Sequence, residues 1–221
     1  MMDTEQEAFA NALRNKNKNS TLDELKKLAS KIKNINAFYI DRDAEMNLFF
    51  KASMEDSIDG VEALLANGGD PSLANNVGTN CLFLMMKRGQ TKMAQLCLDS
   101  LDTEDKKKAF LNATKKRNGF TPLMETVFEG NKLSSLKWLL ETKLVDLHLS
   151  NSKWTPLHAA AKNFQAKTDS PINRDFVTLL VNAGADVDRK ADHRDFGYGV
   201  TPADVVHKNH GEKFDDLFKK K

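Results

Sequence analysis

The sequence predicts an all-α chain: a solenoid of stacked helix-turn-helix units with an N-terminal helical cap. Three observations carry this. The stretch N-G-F-T-P-L-M-E-T-V-F-E-G-N at 118–131 is followed by a near copy, N-S-K-W-T-P-L-H-A-A-A-K-N at 151–163, and their threonines, Thr121 and Thr155, are 34 positions apart. Each copy precedes a second apolar stretch, L-K-W-L-L-E at 136–141 and D-F-V-T-L-L-V-N at 175–182. Weaker lines of the same plan lie before and after. Self-similarity at a fixed period of roughly 20–50 residues marks units that cannot bury their apolar faces alone and stack to do so.

Residues 1–45 come first. E-Q-E-A-F-A-N-A-L (5–13) and S-T-L-D-E-L-K-K-L-A-S-K-I (20–32) read as two helices separated by a polar break at Asn15 to Asn19. Ser20 or Thr21 caps the second, with Glu24 three residues after Thr21 as in a capping box. I-N-A (35–37) resembles the end of a degenerate repeat. The segment is either a helical cap on the first repeat or a separate helical arm.

The repeats follow. Their motif-threonine positions are Met46, Asn80, Thr121, Thr155 and Thr201, giving steps of 34, 41, 34 and 46. Against a period of about 33, the long steps hold insertions between Leu98 and Arg117, between Asn163 and Phe176, and around Asp192 to Tyr198. All three segments are polar, so they are expected to be loops. The repeat boundaries are 46–78, 79–118, 119–151, 152–188 and 189–221. Within a repeat, Thr precedes Pro at 121–122, 155–156 and 201–202. Thr is a good N-cap, and Pro suits the first helical position, where its missing N–H had no partner. Leu157, Ala160 and Ala161 then share a helix face. Phe176, Val177, Leu179 and Leu180 form the apolar face of a second helix, which Gly184 ends in the left-handed conformation.

The residues T-P-L-H-A-A-A at 155–161, the recurring T-P and the G-A-D at 184–186 resemble the ankyrin-repeat family. The resemblance covers 46–218 and implies a binding scaffold for another protein, with no cofactor and no metal. It departs from the family at Met46-Asn47 and Asn80-Cys81, where Thr-Pro is expected. Family members use the motif His between repeat turns. Only His158 stands there; Phe49, Phe83, Met124 and Asp204 fill the other lines. The family meets partners at its turn tips and on the exposed face of the first helix. Those positions are Val77, Thr79, Arg117, Asn118, Phe120, Ser152, Trp154 and Tyr198 at the tips, and Lys87, Arg88, Phe128, Glu129, Lys162 and Asn163 on the helices. Phe120 and Trp154 are the expected anchors, Trp154 more firmly than Phe128, unless the rings fold back onto neighbouring turns. The 192–199 finger adds Phe196. It and the inserted segment at 164–174 are either functional or disordered.

Composition excludes other classes. The net charge of +2 is the difference between 33 basic and 31 acidic residues, which does not suggest a general nucleic-acid binder. The alternative reading, a nuclear or nucleic-acid-associated factor, rests on K-K-K (106–108) and K-K-R (115–117). Asp99, Asp102, Glu104 and Asp105 would cancel much of that field. No apolar run approaches the ~18 residues of a membrane span, and the acidic start is unlike a secretory signal. Cys81 and Cys97 make no disulfide framework and are expected reduced, in cytoplasm or nucleus. There is no G-x-x-x-x-G-K, G-x-S-x-G or H-E-x-x-H, and His207 with His210 lacks ligand spacing. A non-enzymatic monomer is the expectation. The Lys/Asn bias suits a bacterium, including one that delivers ankyrin effectors into host cells, and equally an AT-rich eukaryote.

Overall fold

A computed structural model describes residues 2–14, 20–41, 44–129, 132–149, 154–163, 171–193, 195–210 and 212–219. They form two compact units, Met1–Ala113 and Thr114–Lys221. The architecture is all-α, with twelve α-helices among the described residues and two short hairpins that serve as fingers.

The first unit opens with α1 (Thr4–Arg14) and α2 (Leu22–Ala29). Thr21 caps α2 in the expected capping box: Glu24 N–H donates to Thr21 Oγ1 at 3.3 Å, and Thr21 N–H donates to Glu24 Oε2 at 2.9 Å. A hairpin of β1 (Tyr39–Asp41) and β2 (Ala44–Met46) follows, antiparallel, with Tyr39 opposite Met46. Next come α3 (Leu48–Met54), α4 (Ile58–Ala66), α5 (Cys81–Arg88), α6 (Thr91–Asp99) and α7 (Glu104–Leu111). The packing is that of a stack. α1 meets α3 and α3 meets α5; α2 meets α4 and α4 meets α6. Phe9, Leu13, Leu25 and Ala29 are buried beneath the first full repeat. Gly60 permits this close approach, since a Cβ there would stand 2.5 Å from Leu13 Cδ2.

Two expectations are corrected here. The first helix of the first repeat is capped by Asn47, not Met46: Phe50 N–H donates to Asn47 Oδ1 at 3.3 Å. The step to the next cap, Asn80, is therefore 33, and Phe50 replaces Phe49 at the position of the motif His. The segment between Leu98 and Arg117 is not wholly a loop. It holds α7, because Phe110 and Leu111 are an apolar pair that a helix can bury, and both are buried. Thr103 caps it at Lys106 N–H (3.2 Å). The pairs Lys106–Asp102 (2.9 Å) and Lys108–Glu104 (2.6 Å) brace its exposed side, each a small contribution in water.

The second unit contains α8 (Pro122–Glu129), α9 (Leu133–Glu141), α10 (Pro156–Asn163), α11 (Pro171–Asn182), a hairpin of β3 (Ala191–His193) and β4 (Gly197–Val200), α12 (Pro202–His210) and a 3-10 helix over Glu212–Phe218. α8, α10 and α12 stack in one row; α9, α11 and the 3-10 helix stack in another. All three helices of the first row start at the proline after a capping threonine. Thr121 Oγ1 accepts from Met124 N–H at 3.1 Å, Thr155 Oγ1 from His158 N–H at 3.4 Å, and Thr201 Oγ1 from Asp204 N–H at 3.2 Å. Each such cap stabilises by about 1 kcal/mol. One second helix in each unit, α4 and α11, ends in the same way. Gly69 N–H reaches Leu64 O and Ala185 N–H reaches Leu180 O, at 2.9 and 3.0 Å, each after a glycine at positive φ, Gly68 at 81° and Gly184 at 98°. A side chain would strain that turn.

Candidate interaction surface

The motif histidine ties one repeat to the next. His158 is fully buried. Its Nδ1 lies 2.8 Å from Thr155 Oγ1 and receives Thr155 N–H at 3.3 Å. Its Nε2 lies 3.1 Å from Val200 O, so Nε2 carries the proton and donates to that carbonyl. Burial is the main cause of a pKa below the usual histidine value, and the bond to Val200 opposes it. In the first unit Asn80 combines two of these tasks. Its Oδ1 accepts Leu82 N–H at 3.2 Å and its Nδ2 donates to Phe110 O at 2.8 Å. Sequence reading treated Asn80 as a gap in the motif and missed this.

The second-unit finger is built around Trp154, and here the exposure expectation is overturned. Expected at an open tip, Trp154 is only 7 % exposed. Its ring packs on His158 at 4.9 Å between centroids and stacks on Phe196 at 6.0 Å. Lys208 Nζ stands 5.7 Å over Phe196 and donates to Asp195 O at 2.7 Å. Gly199 N–H donates to Asp192 Oδ1 at 2.9 Å. A tip residue one position before Thr-Pro is drawn in by the motif histidine, which offers a flat buried ring. These contacts leave Tyr198 at the tip 93 % exposed.

The other candidates separate by position. Val77 is 53 % exposed on the equivalent tip in the first unit. Asn75 braces it: Nδ2 donates to Glu45 O at 2.8 Å, and Thr79 N–H donates to Asn75 Oδ1 at 2.9 Å. Thr79 is partly exposed; Arg117 and Asn118 are exposed. Asn118 Oδ1 turns the finger by accepting Phe120 N–H at 3.2 Å. Phe120 is half-buried and meets Phe128 edge-on at 5.6 Å. Phe128 is 48 % exposed, so the expected ranking of Trp154 above Phe128 as an accessible ring is reversed. Lys87, Arg88 and Glu129 are exposed, while Lys162, Asn163 and Phe196 are partly so. Ser152 and most of the 164–174 segment lie outside the described residues.

Two candidates also hold the stack. Arg88 Nη1 donates to Ser53 O at 3.4 Å and Met54 O at 2.9 Å. Asn163 Nδ2 donates to Val127 O at 3.2 Å and Phe128 O at 2.6 Å. Each stands eight residues after its cap, and each satisfies the last carbonyls of the preceding repeat's first helix. Those carbonyls have no partner within their own helix.

The two cysteines are free and buried. A hydrogen bond with Cys81, then burial, holds the Cys97 thiol well above its ordinary pKa, the reverse of an activated nucleophile. Among the described residues no group of three or more His, Cys, Asp and Glu is placed to hold a metal. No helix there is long and apolar enough to cross a membrane.

Within each unit, paired helices stacked in two rows and entered through capped turns define a helical repeat protein. A family model described as ankyrin repeats (3 copies) matches residues 48–143 and 107–191, well over half of the chain, and the chain belongs to the ankyrin-repeat family. No curated protein matches it. Ankyrin repeats are generally protein-protein interaction modules, and their proteins are typically non-enzymatic scaffolds.

Proposed function

We propose that this chain is a protein-binding scaffold whose finger tips and first-helix ends receive the partner, with residues 46–221 as the repeat array and 1–45 capping it. The supporting observation is Tyr198: nearly all of its ring is in water, on a finger locked by the Trp154–Phe196–Lys208 stack. A finger held in this way loses little backbone entropy on contact, and an aromatic ring at its tip suits an interface anchor. Val77 offers a smaller apolar contact at the same place in the first unit. The basic runs favour a nucleic-acid role less, because Lys106 and Lys108 are bonded to their own acidic neighbours and Lys115 to Glu125 at 2.9 Å. The test is affinity capture with the wild-type chain beside a Val77→Ala, Tyr198→Ala variant, both shown folded by circular dichroism. Stoichiometric capture by the wild type, weakened at least fivefold in the variant, is expected from losing two such contacts. Capture equal in both would overturn the placement of the site.

A further inference from the structure

Cys81 and Cys97 stand 16 positions apart in the sequence, and the fold of one repeat closes that interval. α5 begins at Cys81, α6 carries Cys97, and the two helices pack on each other. Their sulfurs meet. The Cys97 thiol is hydrogen-bonded with Cys81, whose own S–H donates to Pro71 O at 3.5 Å. Both residues are buried and free. Apolar packing accounts for one cysteine in a core, where it serves as a small hydrophobe. It does not account for two thiols turned towards each other across a helix pair.

We propose that Cys81 and Cys97 are a modification site, the pair that hydrogen peroxide converts to a disulfide stapling α5 to α6. In the first step the Cys81 sulfur attacks one peroxide oxygen and the O–O bond breaks. That sulfur becomes a sulfenic acid, and its proton leaves with the other oxygen as water. In the second step the Cys97 sulfur attacks the Cys81 sulfur and the S–OH bond breaks. The hydroxide departs with the Cys97 proton as a second water. The two sulfurs together give up two electrons, which reduce the peroxide. Cys81 reacts first because it opens α5, and the end turns of a helix fray most readily. Cys97 lies inside α6 with its thiol held protonated. It acts by contact and not by acidity, since groups held together react as if highly concentrated. Burial makes the first step wait on local opening, and an oxidant little larger than water needs only a small one. The staple removes the donor to Pro71 O and constrains the unfolded chain over the closed loop.

The experiment treats the full reduced chain with hydrogen peroxide, in buffer and in urea, and reads intact mass and a peptide map. In buffer the chain should lose two hydrogens, remain monomeric and yield one cross-link between the peptides holding Cys81 and Cys97. Dithiothreitol should restore the starting mass. In urea the sulfurs separate, so the cross-linked share should fall and the share of sulfinic acid should rise. The stapled chain should melt higher than the reduced one, by about 5 °C or more. Cys81→Ala and Cys97→Ala, given the same treatment, should form no cross-link and gain no melting temperature. Two free thiols after treatment, sulfinic acid without a cross-link, sulfur-linked dimers, or an equal cross-linked share in urea overturns the site. A cross-linked chain that melts no higher overturns the staple.

Discussion

The two units perform the same task with different chemistry at the mouths of α5 and α10. In the second unit α10 is entered through Thr155-Pro156, and His158 three residues on carries the bond to the next finger. In the first unit the entries are Asn47 and Asn80, with Phe50 and Phe83 in the histidine position, and Asn80 alone both caps its helix and bridges to Phe110 O. At these two mouths the same donors and acceptors are satisfied by different residue types. An amide, with one acceptor and two donors, replaces a hydroxyl and an imidazole together.

The sharpest way to break this comparison is at Asn80. Asn80→Ala removes the cap and leaves the buried carbonyl of Phe110 without its donor. The expected cost is about 3 kcal/mol, as about 1 for the cap and about 2 for the orphaned acceptor. Asn80→Thr restores the cap alone and should recover about 1 kcal/mol of that loss. In the second unit Thr155→Ala should cost only about 1–2 kcal/mol, because His158 keeps its bond to Val200. Urea unfolding of the three variants measures all of these. Equal losses for Asn80→Ala and Asn80→Thr would mean that the cap contributes nothing and that the bridge carries the whole effect.

The clamps test the opposite point, that the units agree where their residues look least alike. Arg88→Ala and Asn163→Ala each remove a donor to two helix-end carbonyls near water. Each should cost about 1 kcal/mol, and by nearly the same amount despite the difference in charge. A loss at Arg88 that fell with added salt while that at Asn163 did not would show that Arg88 acts by its charge instead.

How much of this was legible in the sequence follows the same division. Thr-Pro announces a helix start through two residues with few other uses, so α8, α10 and α12 were placed to the residue. The Thr21–Glu24 spacing pointed to a capping box but left Ser20 as a rival cap, and Thr21 is the one that forms it. Asn is common in turns of every kind, so the sequence does not single out Asn47 over Met46 as the cap of α3. α7 was hidden by its charge: Lys106 to Lys108 look like solvated loop until Phe110 and Leu111 are seen buried beneath them. Trp154 and Phe128 were ranked by residue type, whereas their exposure depends on what lies across the turn. For Trp154 that is Phe196, 42 residues later, a relation no local pattern reveals. The clamps at Arg88 and Asn163 were counted among surface residues because their partners are backbone carbonyls, which the sequence does not display.

The gentlest probe of the comparison is pH. Burial lowers the pKa of His158 in the folded chain, so the unfolded chain takes up its proton first as pH falls. The neutral ring's contribution to stability is fully present above the ordinary histidine value near 6.5. It declines as pH drops below that value towards the lowered folded pKa, since stability rises with pH wherever the unfolded state binds more protons. The protonated ring would also lose its acceptor at Nδ1, leaving Thr155 N–H facing a second donor. Melting curves at pH 7 and pH 5 for the wild type and His158→Asn separate this from the titration of carboxylates, which both proteins share. The wild type should lose more stability on acidification than the variant. An equal loss in the two would mean that the second unit tolerates a charged ring at its bridge, and that its histidine is no more sensitive to acid than the amide that does the same work in the first.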